Sequence, residues 1–276
     1  MAHLLDNQVA VITGSGRGIG AAAAKLFAQE GAKVVVTDLD AGVSDQVAEE
    51  IKASGSEALS FPGDVTDPEF PDQILKAAVE AFGKINILVN NAGYTWDSML
   101  HKMTDDQWRA MLDVHNTAPF RLIRAATPYL RDVAKADMEA GKPLENRCII
   151  NISSTSGLHG NIGQANYATA KLGLVGLTKT VAKEWGAFGI RCNAVAFGYM
   201  DTRLTRPKES GEKISVQGKE VDLGIPEKLR GGFEHLIPLR RGGTAEEAAG
   251  GILLMASSYA SYISGHTLEV TGGMGI

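Results

Sequence analysis

Short apolar, β-branched runs alternate along this chain with longer segments of helical pattern, and that alternation narrows the fold more than any other feature. VAVIT (9–13) precedes GIGAAAAKLFAQEG, an alanine-rich helical stretch with Gly31 placed to close it. KVVVTD (33–38) follows, then a helix over 46–53, a short strand at 59–61 and a helix over 74–82. INILVN (85–90), CIINIS (148–153) and IRCNAVAF (190–197) predict further strands. Apolar residues run through these segments almost without a break and without strict alternation. A strand with one wet face alternates between apolar and polar residues, whereas a strand covered by helices on both faces does not. The order and the continuous runs together predict an α/β fold, a doubly wound parallel sheet.

The chain has 276 residues, 44% hydrophobic and 21% charged, which suits one domain over 1–276 with a large core and excludes global disorder. Two stretches break the rhythm. Residues 132–147 extend a helix and then loop, with the charge of a solvated face. The long connection after the 190–197 strand, about 199–241, reads as a lid or substrate loop. The net charge of −5 and the lack of a basic cluster argue against a nucleic-acid partner. No apolar run is long enough for a bilayer, so no membrane association is expected. MAHLLDNQVAVIT lacks the pattern of a signal peptide. Cys148 and Cys192 both fall in strand-like runs, which fits a reducing, cytoplasmic setting.

Gly14-Ser15-Gly16-Arg17-Gly18-Ile19-Gly20 sits between the first strand and the first helix. Glycines there let the backbone approach a pyrophosphate, and the helix N-terminus offers N–H donors and a favourable dipole. Placement at the first strand–helix junction makes this a dinucleotide cradle, not an ordinary turn. Asp38 ends the second strand about twenty residues on, where a carboxylate binds ribose hydroxyls and repels a 2′-phosphate, favouring NAD. A helix N-cap or turn role for Asp38 is the alternative. Arg17 points the other way, because a guanidinium there would welcome the 2′-phosphate of NADP.

Tyr167 and Lys171 are four residues apart in a helix expected over 164–187, so both leave the same face. A lysine ammonium one turn away would lower the phenol from its ordinary value of ~10 toward neutral pH. Ser154, at the end of a strand, can hydrogen-bond a substrate oxygen. A surface Tyr–Lys pair and a strand-ending serine are the plain alternatives.

TGSGRGIG (13–20), Asp64-Val65, NNAG (90–93), Ser154 and Tyr167-Ala-Thr-Ala-Lys171 occur in an order and spacing that resemble the short-chain dehydrogenase/reductase family over essentially the whole chain. The resemblance implies a Rossmann-like sheet and an NAD(P)-dependent oxidoreductase that interconverts a ketone and a secondary alcohol, with no metal. It makes Tyr167 the general acid/base, has Ser154 polarise the carbonyl, and places Lys171 on the nicotinamide ribose as well. Asp64 and Val65 would flank the adenine, Asn91, Ala92 and Gly93 the adjoining ribose, and Thr202 the nicotinamide amide. Homotetramers are usual in the family, built through helices around 105–135 and 164–187 and a C-terminal strand near Thr267–Val270.

Two positions depart from the family. His115 stands where an asparagine is usual, which suggests that it holds a water or backbone group in a proton relay to Lys171. A register using Asn116, or a simple buried histidine, are the other readings. Phe197-Gly198 replaces the usual Pro-Gly before the lid.

For the substrate wall the sequence offers Leu158, Ile162 and Leu204 as apolar residues and His159, Asn161 and Gln164 as hydrogen-bonding ones. Lys208, Lys213, Lys219, Lys228 and Arg230 could meet the phosphates of a coenzyme A or carrier-protein arm, though nearby carboxylates make a solvated loop the simpler reading. TDLD at the second strand, His115 and GQANYATAK together resemble 3-oxoacyl-thioester reductases and 3-hydroxyacyl-CoA dehydrogenases. The expected reaction is therefore interconversion of 3-oxoacyl and 3-hydroxyacyl thioesters. The alternatives are a steroid, sugar or other secondary-alcohol dehydrogenase and, in a different class, a non-enzymatic dinucleotide sensor. A sensor would need neither Ser154 nor Tyr167.

Overall fold

The computed structural model describes residues 3–216, 219–225, 232 and 235–275. The strands are β1 (Val9–Ile12), β2 (Lys33–Val36), β3 (Ala58–Ser60), β4 (Ile87–Asn90), β5 (Arg147–Ser154), β6 (Ile190–Phe197), β7 (Lys213–Val216), β8 (Lys219–Asp222) and β9 (Thr267–Val270). Seven of them form one sheet in the order β3-β2-β1-β4-β5-β6-β9, with every pair parallel. Both faces are covered, as the continuous apolar runs require. Ala10 and Ile12 of β1 enter a core shared with α1 (Gly18–Gln29), α2 (Ala41–Ala53) and α8 (Ala245–Ala256). Val11, between them, enters the opposite core, made with α3 (Phe70–Phe82), α4 (Asp105–Leu112), α5 (Ala118–Ala125), α6 (Thr127–Glu139) and α7 (Ala165–Trp185).

Some boundaries differ from those read in the sequence, and the reasons are local. Helix α2 begins at Ala41, not at 46, because the Asp40 carboxylate caps it by accepting from the Gly42 N–H at 3.0 Å. Helix α3 reaches back to Phe70, with Pro71 in its first turn, where a missing N–H is harmless. Strand β2 stops at Val36 because the Thr37 N–H turns to the Ser15 hydroxyl at 3.0 Å.

The stretch expected as a lid contains a two-stranded antiparallel ribbon, β7 with β8. At its base Pro207 bridges Ile225, and Lys208 N–H donates to Ile225 O at 3.0 Å. Buried Val221 and Leu223 anchor it, and Leu223 belongs to the core cluster against which Trp96, Leu204 and Ile214 pack. Lys228 and Arg230, named above as phosphate contacts, lie outside the described residues, as does the side chain of Lys219.

The sheet order reverses between β1 and β4, since β1 leads outward to β2 and β3 while β4 leads to β5 and β6. A crevice opens at the carboxyl ends of the strands at such a reversal. The loops after β1, β4, β5 and β6 all meet there, around one cavity of about 950 Å³.

Candidate active site

The loop after β1 is held against the loop after β4. The Thr13 hydroxyl accepts from the Asn91 and Ala92 N–H groups, both at 3.0 Å, and the Asn91 side-chain amide donates to the carbonyls of Thr13 (2.9 Å) and Gly14 (3.0 Å). This closeness explains two of the glycines. A Cβ on Gly14 would stand 2.7 Å from Ala92 Cα, and one on Gly20 would overlap the Gly14 carbonyl oxygen. Gly18 answers a different need. Its φ of +53° lies in the left-handed region, and nothing surrounds it within 4 Å, so it turns the chain into α1 on the cavity side. Arg17, the residue before it, makes no side-chain cap, which leaves the first N–H groups of α1 to an anion.

These residues fit a dinucleotide pyrophosphate. Gly14, Arg17, Gly18, Ile19 and Gly20 line the cavity, while Ser15 and Gly16 stand behind it. Ser15 is buried and donates to Ile12 O at 2.6 Å, so its hydroxyl braces the loop. Gly16 packs under Asp38 and Val43.

Asp38 lines the cavity beyond β2, and its carboxylate accepts only a long 3.3 Å contact from the Asp40 N–H among the described hydrogen bonds. The N-cap role falls to Asp40, not to Asp38. Asp40 also holds Arg17 in an exposed ion pair at 2.8 Å, and that guanidinium holds the Asp40 carboxyl below its usual range. Asp64, Val65, Asn91, Ala92, Gly93 and Thr202 line the same cavity. Asp64 is fixed by accepting from the Thr66 N–H and hydroxyl at 2.8 and 2.7 Å.

Ser154, Tyr167, Lys171 and His115 converge on the other end. Burial pushes the Tyr167 hydroxyl up to about 12, a hydrogen bond with Ser154 works against that rise, and the charge of Asp97 adds to it. The sequence argument expected Lys171 to bring this value down. Here burial lowers Lys171 itself to about 7, and its Nζ donates to Ile152 O at 2.8 Å. Its Nζ lies 5.5 Å from the Tyr167 ring centroid, and what sets the phenol is its own removal from water together with Ser154 and Asp97.

The position of His115 depends on a turn that periodicity did not reveal. Residues Asp113–Thr117 form a π-helical turn between α4 and α5. Such turns shift the side chains that follow and recur at functional sites. His115 faces the cavity, edge-on to Tyr167 with ring centroids 5.1 Å apart. Asn116 faces away, donating to Ala170 O at 2.8 Å. His115 Nε2 is 2.8 Å from Tyr94 O, and a carbonyl only accepts, so Nε2 carries the proton. Nδ1 is then an acceptor, buried and without a partner among the described residues. Burial first, and the Lys171 charge second, hold this imidazole well below its usual range, so it is neutral.

Gly93 makes room for the ring. A Cβ there would overlap His115 Cε1, and the Tyr94 hydrogen bond leaves the imidazole little freedom to retreat. Gly93→Ala is expected to cost ~1–3 kcal/mol of stability and to lower kcat by displacing the ring that abuts Tyr167. Thermal unfolding and steady-state rates check this together, and an unchanged Tm with unchanged kcat would show that the ring is free to move.

The substrate wall keeps the polar residues expected from the sequence and draws its apolar side mostly from other positions. His159, Asn161, Gln164 and Leu204 line the cavity, whereas Leu158 does not and Ile162 points to solvent at 86% exposure. Phe197, Met200, Ile214 and Ile225 supply the apolar side. Lys213 faces the cavity but is ion-paired with Glu220 at 2.7 Å. Sequence reasoning missed Asp97 altogether, a lone aspartate in a loop with no motif around it.

The comparisons with known proteins agree with this geometry. The family profile described as short chain dehydrogenase matches residues 8–213. The 3-oxoacyl-[acyl-carrier-protein] reductase of Synechocystis sp. is 38% identical over 272 residues, covering 98% of each chain. Those of Thermotoga maritima and Escherichia coli are 36% identical over 270 residues and 35% over 269, again with 98% of each chain covered. With a parallel doubly wound sheet, a glycine cradle at its reversal point and a profile match over most of its length, the chain belongs to the short chain dehydrogenase family and is an NAD(P)-dependent oxidoreductase.

Proposed function

We propose that this enzyme interconverts 3-oxoacyl and 3-hydroxyacyl thioesters, carried on coenzyme A or a carrier protein, and prefers NAD to NADP. The observation that carries the reading is the meeting of Ser154, Tyr167 and Lys171 with the glycine cradle in one cavity. The three relatives, each a 3-oxoacyl-[acyl-carrier-protein] reductase, support the thioester class. The nicotinamide, when bound, supplies or accepts the hydride. Tyr167 gives the proton to the nascent alkoxide in reduction and takes it back in oxidation. Ser154 donates a hydrogen bond to the same oxygen, which orients the carbonyl and holds charge that develops on it. Lys171 sits one helical turn from Tyr167 with its ammonium lowered by burial to about 7, and the neutral His115 braces the tyrosine ring.

The NAD preference rests on the cavity face of Asp38 and on Arg17, whose guanidinium is already engaged by Asp40. A 2′-phosphate would meet the first carboxylate and would have to draw the guanidinium away from the second. The lid over 199–241, a homotetramer and a cytoplasmic setting complete the proposal. No helix among the described residues is long and apolar enough to cross a membrane.

Acetoacetyl-CoA reduction, followed by loss of cofactor absorbance, tests the reading. Turnover with NADH should exceed that with NADPH by at least ~10-fold in kcat/KM, which is the effect of ~1.4 kcal/mol. Asp38→Ala should narrow the ratio. Turnover with NADPH alone would overturn the cofactor assignment, and no turnover with either, given bound dinucleotide, would overturn the thioester assignment.

A further inference from the structure

Asp97 lies in a loop that is tied down at three points. The Ser98 N–H donates to Gly163 O at 2.9 Å, the Asn166 side chain donates to Trp96 O at 3.0 Å, and Gln164 Nε2 donates to Asp97 Oδ2 at 3.0 Å. Gln164 is buried and has no freedom to flip, because its Oε1 accepts from Asn161 Nδ2 at 2.9 Å. The chain Asn161, Gln164, Asp97 therefore has one direction and ends on a carboxylate that lines the substrate cavity. Oδ1 of that carboxylate makes no hydrogen bond or ion pair among the described residues. A carboxylate with one oxygen held and the other open accepts further donors.

Two electrostatic facts place this acceptor near the chemistry. The Asp97 charge raises the Tyr167 hydroxyl, so it acts across the space where a substrate must sit. Loss of water around Asp97 raises its own carboxyl, while Gln164 and Lys208 pull it down. A second, small polar cavity of about 160 Å³, walled by the ribbon, begins at the same residue and includes Lys208. Asp97 thus stands where the substrate cavity gives way to a polar exit under the lid.

We propose that Asp97 is a specificity-determining residue that accepts a hydrogen bond from an N–H or O–H donor carried by the substrate several bonds from the reacting carbonyl. This rests on the oxidoreductase reading of the cavity and deepens it. In a thioester of coenzyme A or a carrier protein the donor is the first amide N–H beyond the sulfur; in a polyol it is a hydroxyl. A donor to a charged, prefixed carboxylate is worth more than one to a neutral acceptor, and a substrate lacking it forgoes that bond.

The test uses the N-acetylcysteamine thioester of acetoacetate, which has the amide, and ethyl acetoacetate, which has the same reacting group and no donor. In the full-length protein Asp97→Ala should lower the ratio of kcat/KM for thioester over ester at least ~10-fold, mainly through KM. Asp97→Asn guards against a folding artefact. Gln164 keeps the amide oxygen engaged, so the variant presents Nδ2, a donor, where Oδ1 accepted, and the ratio should fall with the loop intact. Binding of the two matching 3-hydroxybutyryl compounds, read by ligand-observed NMR, is measured beside turnover. Wild type that binds the thioester without turning it over would end the thioester-reductase reading while the binding ratio still judges Asp97. An unchanged ratio, a parallel loss for both compounds, or no binding of either compound by wild type would overturn the Asp97 assignment. A restored preference for a 4-hydroxy-2-ketone in place of the thioester would retain Asp97 as the acceptor and assign its donor to a hydroxyl.

Discussion

Tyr167→Phe is expected to lower kcat by ~10³-fold while Tm and dinucleotide affinity stay close to those of the wild type. The change removes one oxygen from a ring that is half-buried against His115, so packing is nearly conserved. The loss is chemical. The hydroxyl is the group that hydrogen-bonds Ser154, and its burial, which pushes it up to about 12, keeps it protonated at neutral pH. A protonated phenol suits the direction in which a ketone is reduced, because the donor is loaded before the carbonyl arrives. In the oxidative direction the same group must lose its proton, so the wild-type rate should climb as pH rises, until the phenol titrates. Rates in both directions across pH, for wild type and variant, check the assignment. If Tyr167→Phe kept more than about a tenth of wild-type kcat, the proton would have to come from elsewhere, and the general-acid role would pass from Tyr167.

The sheet, the order of its helices and the cradle were legible because they rest on local chemistry. Continuous apolar runs require cover on both faces, and a glycine run between strand and helix leaves the backbone little else to do. Tyr167 and Lys171 were legible as a pair because four residues in a helix bring them to one face. What was hidden depends on contacts distant in sequence or on departures from regular periods. The π-helical turn at Asp113–Thr117 shifts the phase on which any argument about His115 and Asn116 depends, and nothing in the residue types announces it. Asp97 gains its meaning from Gln164, 67 positions away. The fall of Lys171 to about 7 reflects how completely the fold encloses it, which no spacing rule reports. The ribbon within the lid was missed because its apolar anchors are few: Val221 stands between Glu220 and Asp222, and Leu223 becomes an anchor only through the core cluster against which Trp96 and Leu204 pack.

Lys171→Met should abolish useful turnover and yet make the protein, free of dinucleotide, more stable at neutral pH. Lys171 is 4% exposed, and among the described contacts its Nζ has one hydrogen-bond acceptor, Ile152 O. An ammonium so enclosed is held to about 7 by burial alone, against ~10.4 in an unfolded chain. Above both values the lysine is neutral in both states and costs nothing. As pH falls from ~10.4 the unfolded chain takes up a proton that the folded chain refuses, so stability falls steadily until about 7 and is flat below it. Roughly 3–5 kcal/mol is at stake over that window, and the Ile152 carbonyl orphaned by methionine returns about 1–2 of it. The variant should therefore gain roughly 1–4 kcal/mol at pH 7, with the gain shrinking toward zero or below near pH 10. Denaturant unfolding at several pH values reads this directly. A Lys171→Met protein less stable than wild type at pH 7 would mean that the ammonium is well solvated or well paired, and that its burial is not a cost the site bears for reactivity. The expected result places Lys171 among residues kept for function against stability, since a methionine of similar length would pack there at lower cost.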